Sequence, residues 1–142
     1  MFDRLTEFFT KNGHKKNNEK FLILVIEDNP IDRRLIEKIL RKQGYRLHLA
    51  SEGKTGLQLA ESQKPDLVLL DYDLPGMTGA EICEELKSND LTKNIPVVFL
   101  TGSDTARSII ECFDLDAENY FAKPLNPRFL TSQVDLILKE HA

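Results

Sequence analysis

The stretch "PDLVLLDYDLPGMTG", residues 65–79, decides the fold. Four consecutive apolar residues, Leu67 to Leu70, run into Asp71; a second acid follows at Asp73, and Pro75-Gly76 makes a turn. A short unbroken apolar run bounded by turn residues fits a strand buried on both faces, whereas a strand with one wet face would alternate. Such a strand belongs in a parallel sheet covered by helices, and the question is what a carboxylate does at its end.

The same pattern extends outward in both directions. Upstream, "FLILVI" (21–26) reads as a strand, and Asn29-Pro30 offers a cap and a first-turn proline. Leu35, Ile36, Ile39 and Leu40 then recur at helical spacing until Gly44. "YRLHLA" (45–50) reads as a second strand and "TGLQLAESQ" (55–63) as a helix ended by Pro65. Downstream of Asp71, Thr78 with Glu81 forms a capping box that opens "GAEICEELK" (79–87). "IPVVFL" (95–100) is a fourth strand and "TARSIIECF" (105–113) a helix. "ENYFA" (118–122) is the last strand, and Asn126-Pro127 caps a helix carrying Leu130, Val134, Ile137 and Leu138 on one side. Strands alternating with helices in this way imply an α/β fold, a doubly wound five-stranded parallel sheet with five helices on its two faces.

Composition narrows the function. The 142-residue chain has the length of one domain and a formal net charge of −4. That balance argues against direct nucleic-acid binding and against an anionic membrane surface, and points to proteins or small anions with a metal as partners. Cys83 and Cys112 lack metal-ligand spacing and read as reduced, partly buried residues, which fits a cytoplasmic location. No apolar run reaches membrane-spanning length. His14, His48 and His141 have no partner at ligand spacing and read as solvated or packing residues; Met77 reads as a loop anchor. "KNGHKKNNEK" (11–20) reads as a solvated linker. Phe2, Leu5, Phe8 and Phe9 fall near helical spacing, as a stub helix or a flexible tail. The expected organisation is an N-terminal extension over 1–20 and one domain over 21–142.

Ligands of doubly wound sheets bind beyond the carboxyl ends of the strands. Glu27 and Asp28 follow the first strand, Asp71 ends the third, Thr101 ends the fourth, and Lys123-Pro124 follows the fifth. Clustered carboxylates repel by roughly 4 kcal/mol per pair about 4 Å apart at an effective dielectric of 20, so they call for a proton or a cation. Mg2+, a hard ion with oxygen ligands that keeps room for water and phosphate, suits them. With such an ion on one side of an incoming phosphoryl group and the Lys123 ammonium on the other, Asp71 becomes the candidate nucleophile for an acyl phosphate.

In its "EDN" after the first strand, "DYDLPGMTG" around Asp71, Thr101, and "NYFAKP" ending in Lys123-Pro124, the chain resembles the receiver domains of two-component response regulators over roughly residues 20–140. The resemblance implies a flavodoxin-like sheet of strand order 2-1-3-4-5. It implies that Asp71 accepts phosphate from a histidine kinase or histidine phosphotransfer protein. Asp28 would bind Mg2+ directly, Glu27 through water, and the backbone carbonyl of Asp73 would add a ligand. Lys123 would pair with the phosphoryl group and Thr101 would donate its hydroxyl to it. Tyr120 would be the aromatic switch, following Thr101, and the Lys123-Pro124 bond would be cis.

Three positions depart from the pattern: Gly102 stands where alanine is commoner, Asp116 where Gly-Ala usually precedes the last strand, and Asp73 adds an acid two positions after the acceptor. Asp116 is expected to take a left-handed backbone, and the Asp73 carboxylate to alter phosphoryl lifetime. The expected output is protein-mediated, with no output domain in the chain and no enzymatic activity beyond its own phosphorylation and dephosphorylation. The face of the fourth helix, fifth strand and fifth helix would carry it, with Arg107, Glu111, Tyr120 and Arg128 exposed and the protein a monomer or a phosphorylation-dependent dimer. Two alternatives stay open. "LVLLDYDLP" also resembles the nucleophile motif of haloacid-dehalogenase-like phosphatases, although Pro75 and the motif's place in the third strand fit poorly. A degenerate receiver used purely as an interaction module is the other.

Overall fold

A computed structural model describes residues 18–102 and 106–142. Its elements alternate: β1 (Leu22–Ile26), α1 (Pro30–Lys42), β2 (Arg46–Ala50), α2 (Gly53–Gln63), β3 (Leu67–Asp71), α3 (Gly79–Ser88), β4 (Val97–Thr101), α4 (Ala106–Asp114), β5 (Asn119–Ala122) and α5 (Pro127–His141). All strand pairs are parallel, in the order β2-β1-β3-β4-β5. The chain thus has the flavodoxin-like architecture expected of it.

Each central strand is buried on both faces, which explains its unbroken apolar run. The two-residue period of a strand divides these side chains between two cores. Ile23, Val25, Leu67, Leu69, Val98 and Leu100 pack with Ile36 and Leu40 of α1 and with Leu130, Val134 and Ile137 of α5. Leu24, Ile26, Val68, Leu70, Val97 and Phe99 pack with Ala60 of α2, Ile82 and Leu86 of α3, and Cys112 of α4. Truncating one of these buried leucines to alanine would cost about 2–5 kcal/mol.

Local chemistry sets the helix boundaries. Asn29 Oδ1 accepts from the N–H groups of Ile31 and Asp32, Asn126 Oδ1 from Phe129, and a proline occupies the first turn in both helices. Thr78 caps α3 through the N–H of Glu81 at 3.2 Å, but the Glu81 carboxylate bonds the Thr78 hydroxyl instead of returning to its backbone N–H. α2 ends at Gln63, where the sequence put it, and starts two residues earlier than expected, at Gly53; Lys64 takes the left-handed conformation at φ 48° and Pro65 follows. Asp116 is left-handed too, at φ 61°.

Three contacts lay outside the sequence reading. Asn18, within the stretch read as linker, is buried and its Nδ2 donates to the carbonyl of Gln43 at 2.7 Å, tying it to the end of α1. His141 is exposed, with its Nε2 3.1 Å from Glu118 Oε1. Tyr45 donates its hydroxyl to Asp135 of α5. The expectations for residues 1–17, including the amphipathic stub, lie outside the described residues.

Candidate functional site

Parallel strands deliver their carboxyl ends to one rim. The N–H of Glu27 bonds Ala50 O at 2.9 Å, Tyr72 N–H bonds Leu100 O at 2.9 Å, and Lys123 N–H bonds Thr101 O at 2.8 Å. These bonds continue the sheet one residue past its strands and fix the residues that follow. On the far side of Asp71, Gly79 lets α3 start close against the chain: a Cβ there would stand 2.5 Å from the Asp71 carbonyl oxygen and 2.8 Å from the Tyr72 Cα. No flexible side chain stands there to yield, so only glycine fits.

At this rim the ligand oxygens of Glu27, Asp28 and Asp71 come within 4.8 Å of one another. Glu27 is not at the surface of the rim but wholly buried, at 0% exposure; Asp71 is buried and Asp28 half-buried. Asp71 Oδ1 accepts the backbone N–H of Asp73 at 3.0 Å, which aims the carboxylate. The Asp73 side chain is exposed. The Lys123 ammonium reaches three acids: Glu27 Oε1 at 2.6 Å, Asp32 Oδ2 at 3.3 Å and Asp71 Oδ2 at 3.7 Å. The peptide bond after Lys123 is cis, as the resemblance implied.

The electrostatics follow from crowding. Burial, then the neighbouring Asp71, push Glu27 up to about 8 against the opposing pull of Lys123. Burial would raise Asp71 as well, but the adjoining Glu27 and Asp28 carboxyls, the hydrogen bond from the Asp73 N–H and the lysine charge outweigh it and hold that carboxyl below its ordinary range. Asp28 is raised by burial and by Asp71. Burial opposes the charge on Lys123, yet Glu27 and Asp71 win and raise its pKa. The crowding thus favours the protonated form at Glu27 and the ionised form at Asp71.

Glu27 Oε2 is buried and accepts no hydrogen bond. A buried carboxylate oxygen without a donor is costly, and either the Glu27 proton or a cation shared with Asp28 and Asp71 relieves it. An all-oxygen donor set of this size fits a hard divalent ion.

Thr101 is buried at the tip of β4. Tyr120 is half-buried, its ring set edge-on to Phe113 at 6.3 Å. Two of the residues expected on the exposed output face are therefore less open than anticipated, because Glu111 is half-buried as well. It lies beside Tyr72, whose hydroxyl pKa is raised by burial and by the Glu111 carboxylate. Arg128 is exposed, and the Arg107 side chain lies outside the described residues. On α4, Ile110 and Phe113 are the exposed apolar residues.

Sequence reasoning missed Asp32 and Arg33. Arg33 Nη1 donates to the backbone carbonyls of Glu27 at 3.0 Å and Asp28 at 3.3 Å, bracing the loop that carries both acids. The available signal was their position in the first turn after Asn29-Pro30, four and five residues past Asp28.

Comparison with known proteins agrees with this geometry. The family model described as the response regulator receiver domain matches residues 23–135. The chain belongs to that family, whose members are signalling domains of two-component systems that partner with histidine kinases or phosphotransfer proteins. The transcriptional regulatory protein AfsQ1 of Streptomyces coelicolor is 32% identical over 117 residues, which are 82% of this chain and 51% of AfsQ1. The chain thus spans about half the length of that relative. A putative response regulator from Chloroflexus aurantiacus J-10-fl is similar with a TM-score of 0.80 and 31% identity, over 84% of this chain and 98% of the other. The receiver domain of sensor histidine kinase PA1611 from Pseudomonas aeruginosa PAO1, solved with a magnesium ion in its active site cleft, gives 0.78 and 28%, over 84% and 98%. Among the described residues no helix is long and apolar enough to cross a membrane.

Proposed function

We propose that this chain receives a phosphoryl group on Asp71 from a histidine kinase or histidine phosphotransfer protein, in a reaction that needs Mg2+, and thereby switches a surface read by a downstream protein. One observation carries the reading. At the tip of β3 a buried carboxylate stands 3.7 Å from a lysine ammonium and shares a 4.8 Å cluster with two more acids, one holding a buried oxygen that accepts no hydrogen bond.

Glu27, Asp28, Asp71 and the backbone carbonyl of Asp73 would hold the ion. Once bound, Mg2+ supplies positive charge against the phosphoryl oxygens. The chain's own residues do the rest. An Asp71 oxygen forms the new P–O bond as the donor's P–N bond breaks, and the imidazole leaves with the electron pair of that bond. The Asp73 N–H orients the attacking carboxylate. Lys123 moves onto the phosphoryl oxygens, and Thr101, its neighbour through the backbone, donates its hydroxyl to them. The added charge of about −1.5 to −2 is the signal.

Tyr120 is the switch: its ring leaves Phe113 and turns inward as Thr101 is drawn to the phosphoryl group. That change alters the surface of α4, β5 and α5, where Ile110, Phe113 and Arg128 are exposed. The exposed Asp73 carboxylate tunes the lifetime of the acyl phosphate. The protein works in the cytoplasm, without direct nucleic-acid or membrane contact, as a monomer or as a dimer formed on phosphorylation. It turns over nothing but its own phosphoryl group.

Incubation with acetyl phosphate and Mg2+, followed by mass mapping of the modified residue, tests this. The label should appear on Asp71, require Mg2+, and vanish in Asp71→Asn. Labelling that persists in that variant would end the proposal.

A further inference from the structure

The Lys123 ammonium is shared in a way the phosphoacceptor reading does not explain. It has three N–H donors, and its two shortest contacts are to Glu27 and Asp32, while the contact to Asp71 Oδ2 is the longest. Asp32 is not one of the three clustered acids. It lies in the first turn of α1, with its backbone N–H on Asn29 Oδ1 at 3.1 Å, so its carboxylate is held at the helix N-terminus, where negative charge is favoured. Asp32 is 32% exposed and Lys123 19% in their side chains, so the pair is partly shielded from water.

We infer that Asp32 is a positioning residue that seats the Lys123 ammonium on the α1 side of the site, in competition with the phosphoryl group that forms on Asp71. The inference rests on the phosphoacceptor reading. In the resting protein, Glu27 and Asp32 together draw the ammonium away from the acceptor. When a phosphoryl group arrives, the same ammonium must leave Asp32 to reach it, and the attraction of Asp32 opposes that movement. Asp32 thereby sets how readily the resting state converts to the phosphorylated one. Glu27 is wholly buried within the acid cluster, whereas the Asp32 carboxylate is partly exposed and stands outside it, so Asp32 is the adjustable partner of the two.

The test is the affinity of the full chain for beryllofluoride, a phosphoryl mimic, at saturating Mg2+, followed by amide chemical shifts. Asp32→Asn should bind the mimic about two- to fivefold more tightly, the range expected from releasing a partly exposed ion pair. Asp32→Glu, which keeps the charge, should stay near the parent. In the metal-free and mimic-free protein, the Lys123 ammonium 1H–15N signal should broaden or exchange faster in Asp32→Asn only. That second readout depends on neither metal nor mimic. Equal or weaker mimic binding by Asp32→Asn, or an ammonium signal that does not change, would overturn the role of Asp32 and leave the phosphoacceptor reading standing. A parent that binds no mimic while its ammonium signal responds as described would sink the phosphoacceptor reading and leave the Asp32–Lys123 latch.

Discussion

Two aspartates bracket β3, and their fates differ. Asp66, just before the strand, is exposed; its Oδ2 accepts the N–H of Leu22 at 2.8 Å while its own N–H donates to Leu22 O at 2.8 Å. It pins β3 to β1 at the amino end of the sheet. Asp71, five positions on, is buried among Glu27, Asp28 and Lys123. The first carboxylate completes a backbone hydrogen-bond pattern. The second accepts one backbone N–H, from Asp73, but belongs to a cluster that is left incomplete, because Glu27 Oε2 lacks a donor. One end of the strand is closed by backbone hydrogen bonds, and the other holds the acid cluster proposed to carry the chemistry.

The largest difference between the two should appear in phosphoryl transfer. Asp71→Asn is expected to lower labelling by acetyl phosphate to background, a loss of at least about 100-fold since the proposed nucleophile is gone; Asp66→Ala should label at the parental rate. Equal losses in both variants would mean that the ends of β3 are not functionally distinct.

The next effect is a pH dependence confined to the rim. Glu27 is raised to about 8 in the folded chain from 4.5. Below 4.5 both folded and unfolded forms carry the proton. Between 4.5 and about 8 only the folded form keeps it, so this group makes stability fall as pH rises across that window in the metal-free protein. The depressed Asp71 works in the opposite sense, its contribution being lost as pH falls through its folded value, below the usual carboxylate range and so outside this window. Chemical denaturation from pH 5 to pH 9 should show Glu27→Gln as stable as the parent at the acid end and more stable at the alkaline end. Parallel curves would remove the buried-carboxylate account.

Gly79→Ala sharpens the comparison by pressing on the rim from α3. Its new Cβ would meet the Asp71 carbonyl and Tyr72 Cα, and a loss of about 1–3 kcal/mol is expected with a shifted Asp71 environment. The smallest effect belongs to Asp66→Ala, about 1–2 kcal/mol from leaving the Leu22 N–H without its partner, measured as a lower denaturation midpoint with mimic binding intact.

Much of this was legible in the sequence for a physical reason. Strands buried on both faces must be apolar throughout, so β1, β3 and β4 announce themselves, and whatever polar residue ends each run sits at the rim by construction. Glu27, Asp28, Asp71, Thr101 and Lys123 were located in that way. What stayed hidden depends on distances across the fold. Asp32 reaches Lys123 over 91 positions of sequence because α1 starts against the same rim. Glu111 reads as a surface acid of α4 but lies half-buried beside Tyr72, and Asn18 reads as linker but is buried with its amide on the Gln43 carbonyl. Period and composition report which face a residue occupies, not which side chain from another element meets it there.

The central claim is that a divalent cation completes the acid cluster that the folded chain leaves incomplete. Calorimetric titration of Mg2+ at pH 6.5, in two buffers of different ionisation heat, tests it most directly. The account predicts binding at one site with release of the Glu27 proton, and an affinity that rises with pH until about 8. Absence of binding, or binding that releases no proton and ignores pH, would contradict it.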